Sequence, residues 1–331
     1  MGETFYDGWL ETPDRIQSEF WNSPAVARDK DIPWVSTPQD VRVKLMVANE
    51  LGFATMGSNV LKAEIPAGWH TGRHRHGEES IHFLSGSGFS VVEKSRFDWH
   101  AGTSLSIPFW AEHQHFNTGD VPALYVSGMT FDLERFVRVA RIQQLEECGP
   151  NEASLIAAAP AEASQYYPDG GRAAIHLEDA PTDMSFSQQA HLAAVRNQHG
   201  FTQHLVVPKN GFRARSVAVT TRWVDEPFHH SGRHKHLEAV VYAVAGRGYT
   251  EMQGQEVPWE AGDVLYVPPA MWEHEHRNNN PSQVEQLRIA FGIRQWFTAI
   301  WPEGFTSERI YDADGNPMEA GMMSRVRERE R

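Results

Sequence analysis

One cysteine, Cys148, stands among 331 residues. No disulfide can form within the chain, so the fold rests on its core, and a reducing compartment, the cytoplasm, is expected. Positive charge is also scarce. Thirty Lys and Arg face 43 Asp and Glu, a formal net charge of −13, which argues against nucleic acid as a partner because phosphates want a basic face. No run of about 18 uninterrupted apolar residues occurs, so neither a membrane span nor a membrane partner is expected. The opening MGETFYDGWLETPDR has no basic or apolar segment of the kind that makes a secretory signal. A Walker loop, a nucleophile elbow and a C-x-x-C pair are missing too. The Gly86-x-Gly88 pair lacks the third glycine and the following helix of a dinucleotide loop. With 40% hydrophobic and 22% charged residues the chain is nevertheless globular in composition. What it does have is histidine, 17 of them, unevenly spread.

The unevenness is a repeat. GRHRHGEESIHFLSGSG (72–88) aligns without a gap on GRHKHLEAVVYAVAGRG (232–248), and FDWHAGTSLSIPFWAEHQHFN (97–117) matches VPWEAGDVLYVPPAMWEHEHRN (257–278) with one inserted residue near Ala270. Such self-similarity implies a duplicated unit. Copies are expected over 45–130 and 205–295, flanked by an N-terminal arm (1–44), a linker (131–204) and a C-terminal segment (296–331) with the charged tail RVRERER. Within each copy, short β-branched or apolar runs such as VVYAVAG and TSLSIP are bounded by Gly and Pro, the pattern of strands and turns. Gly86, Gly88, Gly246 and Gly248 read as turn glycines, and Gly254 suits a hairpin that Lys94 in the first copy must make differently. FDLERFVRVARIQQLEE (131–147) has helical spacing, and a further helix is expected around 186–198. The arm, with Trp9, Trp21 and Trp34, is expected to pack over the first barrel or across a dimer.

His74-x-His76 places two imidazoles on one face of a strand. His113 follows His76 by 37 residues, and His274 follows His236 by 38, so each copy supplies a third histidine from a later strand. Imidazole suits Fe, Zn, Cu and Ni, and the matched triads His74, His76, His113 and His234, His236, His274 read as two metal sites.

These residues resemble the cupin superfamily, and two copies resemble a bicupin. Gly68, His74, His76, Glu79 and Gly86 meet the first cupin motif, and Gly102, Pro108, His113 and Asn117 the second. Gly262, Pro268, His274 and Asn278 match with one inserted residue. The resemblance implies an all-β chain of two cupin (double-stranded β-helix, or jelly-roll) barrels joined by a short helical linker. Many cupins add a Glu ligand four residues after the second His. That position is Ser80 here and Val240 in the second copy, and Glu79 sits one residue early opposite Ala239. Three histidines per copy resemble instead the gentisate and salicylate 1,2-dioxygenase group. That resemblance implies a non-haem Fe(II) dioxygenase, with Mn(II) or another divalent metal open, that cleaves the ring of a hydroxylated aromatic acid with O₂ and forms a homo-oligomer, dimer or tetramer. The alternatives are a metal-dependent bicupin decarboxylase or oxygenase of a small acid or diketone, and a non-catalytic cupin that binds a small ligand.

Around the triads, Glu78 and Glu238 read either as carboxylates that fix a ligand imidazole or move a proton, or as outward ion pairs with Arg73 or Arg75. His115 and His276 lie two residues past the third ligand and read as acid–base groups or replacement ligands. His82, opposite Tyr242, adds a titratable group to the first copy, which is therefore the expected site of turnover, with His82, Glu78 and His115 as its catalytic candidates. Trp99 and Trp259 read as core. Arg73, Arg75, Arg222 and Arg233 are candidate binders of a substrate carboxylate.

Overall fold

The structure is a computed structural model that describes residues 4–182, 200–216, 219–291 and 307–309. Two antiparallel sandwiches follow one another along the chain. In the first, one sheet runs in the order Ala174–Ile175, Ser104–Ile107, Glu79–Phe83, Ala123–Met129, Asn59–Ile65, Arg42–Val47. The facing sheet runs Gln143–Glu146, Arg73–Arg75, His113–Asn117, Trp69–His70, Gly149–Pro150, and Ser87–Val92 bridges His113–Asn117 to Ser95–His100. The second sandwich repeats the plan. One sheet is Val26–Ala27, Val264–Val267, Ala239–Ala245, Val284–Ala290, Val219–Asp225, Gly200–His204, and the other is Gln255–Glu260, Arg247–Met252, His274–Arg277, His234–His236, Ser307–Arg309. The protein is thus all-β in architecture, two jelly rolls with short helices around them.

Alternation along each strand sends one set of side chains into its own barrel. Val43, Ile65, Ile81, Phe83, Trp99 and Ile107 fill the first. Trp99 lies flat on Phe83 with ring centroids 4.0 Å apart, and Trp259 is likewise buried in the second. The opposite faces of the two central sheets are not solvated. Met46, Val60 and Val126 from the first barrel meet Val240, Tyr242, Leu287 and Ile289 from the second in one shared cluster. Burial on both faces explains why Glu79–Phe83 and Val264–Val267 hold no exposed residue. The barrels stand back to back on a common apolar seam.

Gly86 and Gly246 turn with φ of +80° and +83°, a region only glycine enters cheaply. Gly88 and Gly248 are not turn residues. They lie in strands, where a Cβ would meet a backbone oxygen and the Trp99 or Trp259 ring. The helix expected over 131–147 is only Phe131–Phe136. The chain then extends, and Gln143–Glu146 adds an edge strand to Arg73–Arg75, because pairing with an open strand satisfies more backbone groups than a marginal helix would. The helix expected at 186–198 and the RVRERER tail lie outside the described residues.

The arm differs most from expectation. Its helix Thr12–Asn22 packs on the second barrel, with Trp21 4.4 Å from Trp272 and Gln17 accepting the Trp272 indole N–H at 3.1 Å. Val26–Ala27 then pairs with Val264–Leu265 of that barrel. Only afterwards does the chain reach the first barrel, where Trp34 lies under Arg42 and Lys44, each 4.8 Å from the ring. Trp9 is exposed.

Candidate functional site

His74 sits in the strand Arg73–Arg75, directly opposite His113 of the neighbouring strand. Strand pairing thus places two imidazoles side by side, and His76 follows at the strand's end. The ring centroids of His74, His76 and His113 are 4.2–4.7 Å apart. After His76 the chain bends at Gly77, and Glu79 begins a strand of the other sheet. The corner resets strand parity. It turns the Glu79 carboxylate inward, 3.5 Å from His76 Nε2 and 3.6 Å from His113 Nε2, and Ser127 donates its hydroxyl to it. A carboxylate thus stands beside the three expected histidines. The motif spacing, which puts a fourth ligand at Ser80, passes over Glu79 because it does not register the corner at Gly77.

The imidazoles are oriented for a cation. His76 Nδ1 lies 2.8 Å from the Gly77 carbonyl and His113 Nδ1 2.8 Å from the Ala111 carbonyl. Carbonyls only accept, so each Nδ1 carries the proton and each Nε2 presents a lone pair. His113 Nε2 is buried with no hydrogen-bond partner, a costly arrangement that a bound metal would relieve. Burial and the neighbouring imidazoles push His74 down to about 2 and His113 well below the ordinary histidine value. His115 is pushed to about 3 by burial and then His76, and its Nδ1 lies 2.6 Å from Ser90 Oγ. Neutral imidazoles and a carboxylate are the donor set that Fe(II), Mn(II) or Zn(II) takes, so these residues fit a divalent metal. His115 belongs to the same cluster: one ligand atom each of Glu79, His113 and His115 lies within 4.8 Å of the others. His113 and His115 both face this centre, so the third-histidine position does not exclude its neighbour.

A cavity of about 190 Å³ opens on the cluster, lined among others by Asp40, His74, His76, Glu79, His115 and Tyr125. Asp40 comes from the turn before the first barrel, is buried, and accepts a hydrogen bond from Tyr125 Oη at 2.8 Å. Burial, reinforced by Glu79, lifts its carboxyl to about 7 against the Tyr125 bond. Sequence reasoning missed Asp40. A lone Asp in Thr37-Pro38-Gln39-Asp40 carries only the signal of a turn, and Thr37 Oγ1 does accept from the Asp40 N–H at 3.0 Å.

Two catalytic candidates lie elsewhere. His82 alternates with Glu79, Ile81 and Phe83 and so points out of the barrel, into the seam between the two. It bonds Ser104 Oγ at 2.9 Å, and burial pushes it down to about 4, with Glu285 and Arg222 of the second barrel nearby. Glu78 turns its carboxylate to the residues just before the second-barrel strand Val219–Asp225, where Arg215 N–H, Ser216 N–H and Ser216 Oγ donate to it. Glu238 does the reverse, accepting from Met56 N–H, Ser58 Oγ and Tyr266 Oη. Both carboxylates tie one barrel to the other. The candidate carboxylate binders are also engaged: Arg73 and Arg75 pair with Glu112, Arg222 with Glu285 and Arg233 with Glu251. None of the four lines the cavity.

The second barrel gathers His234, His236, His274 and His276. Nδ1 of His234, His236 and His274 faces the carbonyls of Gly232, Leu237 and Trp272, His274 Nε2 is 3.1 Å from His236 Nε2, and one ligand atom each of His234, His274 and His276 lies within 4.8 Å of the others. Ala239, opposite Val267 as Glu79 is opposite Ile107, brings no carboxylate. Arg288 occupies the register place of Ser127, opposite Val241 as Ser127 is opposite Ile81. Burial, and after it Arg288, hold His276 well below its ordinary value.

With this geometry in hand, comparison with protein-family models matches the cupin domain over residues 61–129. No curated protein matches the sequence. Among solved structures, a salicylate 1,2-dioxygenase from Pseudaminobacter salicylatoxidans aligns with a TM-score of 0.56 at 16% identity over 75% of this chain and 74% of that one. A mutant oxalate decarboxylase from Bacillus subtilis gives 0.61 at 14% over 83% and 81%, and procruciferin, an 11S globulin from Brassica napus, 0.62 at 10% over 78% and 82%. The fold is that of a bicupin.

Proposed function

We propose that the first barrel is a mononuclear divalent-metal oxygenase site, with His74, His76, His113 and Glu79 as ligands and a small substrate that presents two oxygens to the metal. The observation that carries this reading is the buried, partnerless Nε2 of His113 set among His74, His76 and Glu79 beneath a cavity. Bound Fe(II) or Mn(II) would supply Lewis acidity and redox access to O₂. The chain itself holds the imidazoles in the metal-binding tautomer, keeps Glu79 in place through Ser127, and surrounds the substrate with Val43, Leu61 and Ala63, which exclude water. His115 is the acid–base candidate nearest the centre. His234, His236 and His274 form a second candidate metal site, and small-molecule substrate and O₂ are the partners this reading calls for.

Two substrate classes fit such a centre. Ring cleavage of a hydroxylated aromatic acid follows from the likeness to the salicylate dioxygenase fold. Oxygenation of a diketone-like chelator is favoured by one observation, the fourth ligand Glu79, whose charge already offsets half that of a dication. The test is anaerobic Fe(II) reconstitution followed by oxygen-uptake screening of gentisate, salicylates, hydroxynaphthoates and β-diketones. Oxygen uptake with at least one of them, abolished in His76→Ala, is expected. A reconstituted protein that consumes oxygen with none, or equally well without His76, overturns the oxygenase reading.

A further inference from the structure

Among the described residues, Asp40 is the one acidic group lining the cavity that is not a proposed metal ligand. It is buried, it lines the same space as His74, His76 and Glu79, and its oxygen Oδ1 is fixed by Tyr125 Oη. A fully buried carboxylate is expensive unless something offsets its charge. A dication at the histidines would be offset once by Glu79 and once by Asp40, leaving the centre neutral. A ligand that arrives neutral with a hydroxyl group preserves that balance, because Asp40 accepts its hydrogen bond. A ligand that arrives with a carboxylate adds a third negative charge to the same small cavity, and the four candidate arginines Arg73, Arg75, Arg222 and Arg233 are paired elsewhere.

We infer that Asp40 is a specificity-determining residue that makes the first cavity select neutral, hydroxyl-bearing oxygen chelators and reject carboxylates. This rests on the metal reading of the site and narrows its substrate class. A small vicinal diol of the aromatic or enolic kind is the ligand chemistry that fits. The turn Thr37–Asp40 thereby gains a purpose beyond linking arm to barrel: it adds a second carboxylate, besides Glu79, to a pocket also lined by Val43, Leu61 and Ala63.

Catechol and salicylate test the idea, since they share a ring and two ortho oxygens and differ in charge. Each is titrated calorimetrically at pH 8 into protein loaded with Co(II), which reports its coordination by its visible spectrum and requires no turnover. Wild type is expected to bind catechol at least about tenfold more tightly than salicylate, a difference well above calorimetric error. Asp40→Asn, which keeps the shape and the Tyr125 contact but not the charge, is expected to narrow the ratio to within about twofold, mainly by tighter salicylate binding. Its cobalt content and spectrum are expected to match wild type, which shows that the variant is folded at the site. Equal or tighter salicylate binding by wild type, no catechol binding, or a ratio unchanged in Asp40→Asn overturns the inference. Failure of cobalt to load at all, or loading indifferent to Glu79→Gln and His76→Ala, overturns instead the metal reading beneath it.

Discussion

Glu79 and His82 are three residues apart on one strand and do opposite work. Glu79, inside the barrel, adds the only carboxylate among the described residues that approaches His76 and His113. Glu79→Gln keeps an acceptor for Ser127 but removes the charge, and is expected to weaken divalent-metal binding at least roughly tenfold, read by competition with a chromophoric chelator. An unchanged affinity would mean that the carboxylate is not a ligand. His82, outside, must stay neutral in the seam. Its folded value of about 4 lies below the unfolded 6.5, so its contribution to stability is complete above pH 6.5 and is lost as pH falls from there towards 4. A shift of that size corresponds to roughly 2–4 kcal/mol. His82→Gln, which cannot take the proton, is expected to make the metal-free protein lose less stability between pH 6.5 and 4.5 in urea titrations. The same acid loss in the variant would show that His82 is not the group being charged.

At the scale of elements, the design is a crossing. The segment before the first barrel lends Val26–Ala27 to the second, and the segment before the second lends Ala174–Ile175 to the first. Glu78 and Glu238 cross in the same way, each receiving donors from residues just before a strand of the other barrel, Val219–Asp225 or Asn59–Ile65. Glu238 is buried, and burial lifts it to about 7 against the bonds it accepts. Glu238→Ala would leave Met56 N–H and the Ser58 hydroxyl without their acceptor, while Tyr266 keeps the Ala54 carbonyl, and is expected to cost about 2–4 kcal/mol in urea unfolding. A loss below about 1 kcal/mol would show that the crossing contributes little. The repeat and its histidines were legible in the sequence because duplicated strands must keep the same inward positions to make the same barrel. Strand parity carried past His76 puts Glu78 on the histidine face and the motif spacing passes over Glu79, because a corner at Gly77 is invisible to both. The arm's destination was not legible either, since an amphipathic helix such as Thr12–Asn22 fits any apolar mouth, and only the pairing partner of Val26–Ala27 decides between two similar barrels.

At the scale of the molecule, two barrels of one ancestry share a seam and differ at their centres. The first centre holds three imidazoles and Glu79, with His115 beside them. In the second, Ala239 removes the carboxylate and Arg288 adds a guanidinium, 3.8 Å above the Trp223 ring and close enough to His276 to disfavour its proton. Relative to the first site a cation there loses one attractive unit charge and gains a repulsive one. At an effective dielectric near 20, two unit charges about 5 Å apart interact by roughly 3 kcal/mol; Asp225, which also feels Arg288, offsets part of the repulsive term, and the lost carboxylate remains. The arm's helix also covers Trp272, the residue whose carbonyl orients His274. Co(II) titration of metal-free protein is therefore expected to show two classes of site rather than two equal ones. The tight class should disappear in His76→Ala. The second should bind at least about tenfold more weakly and disappear in His236→Ala, and Arg288→Ser should bring it closer to the first. If His236→Ala removes the tighter class, the ordering by charge fails and the second barrel, not the first, holds the metal that matters.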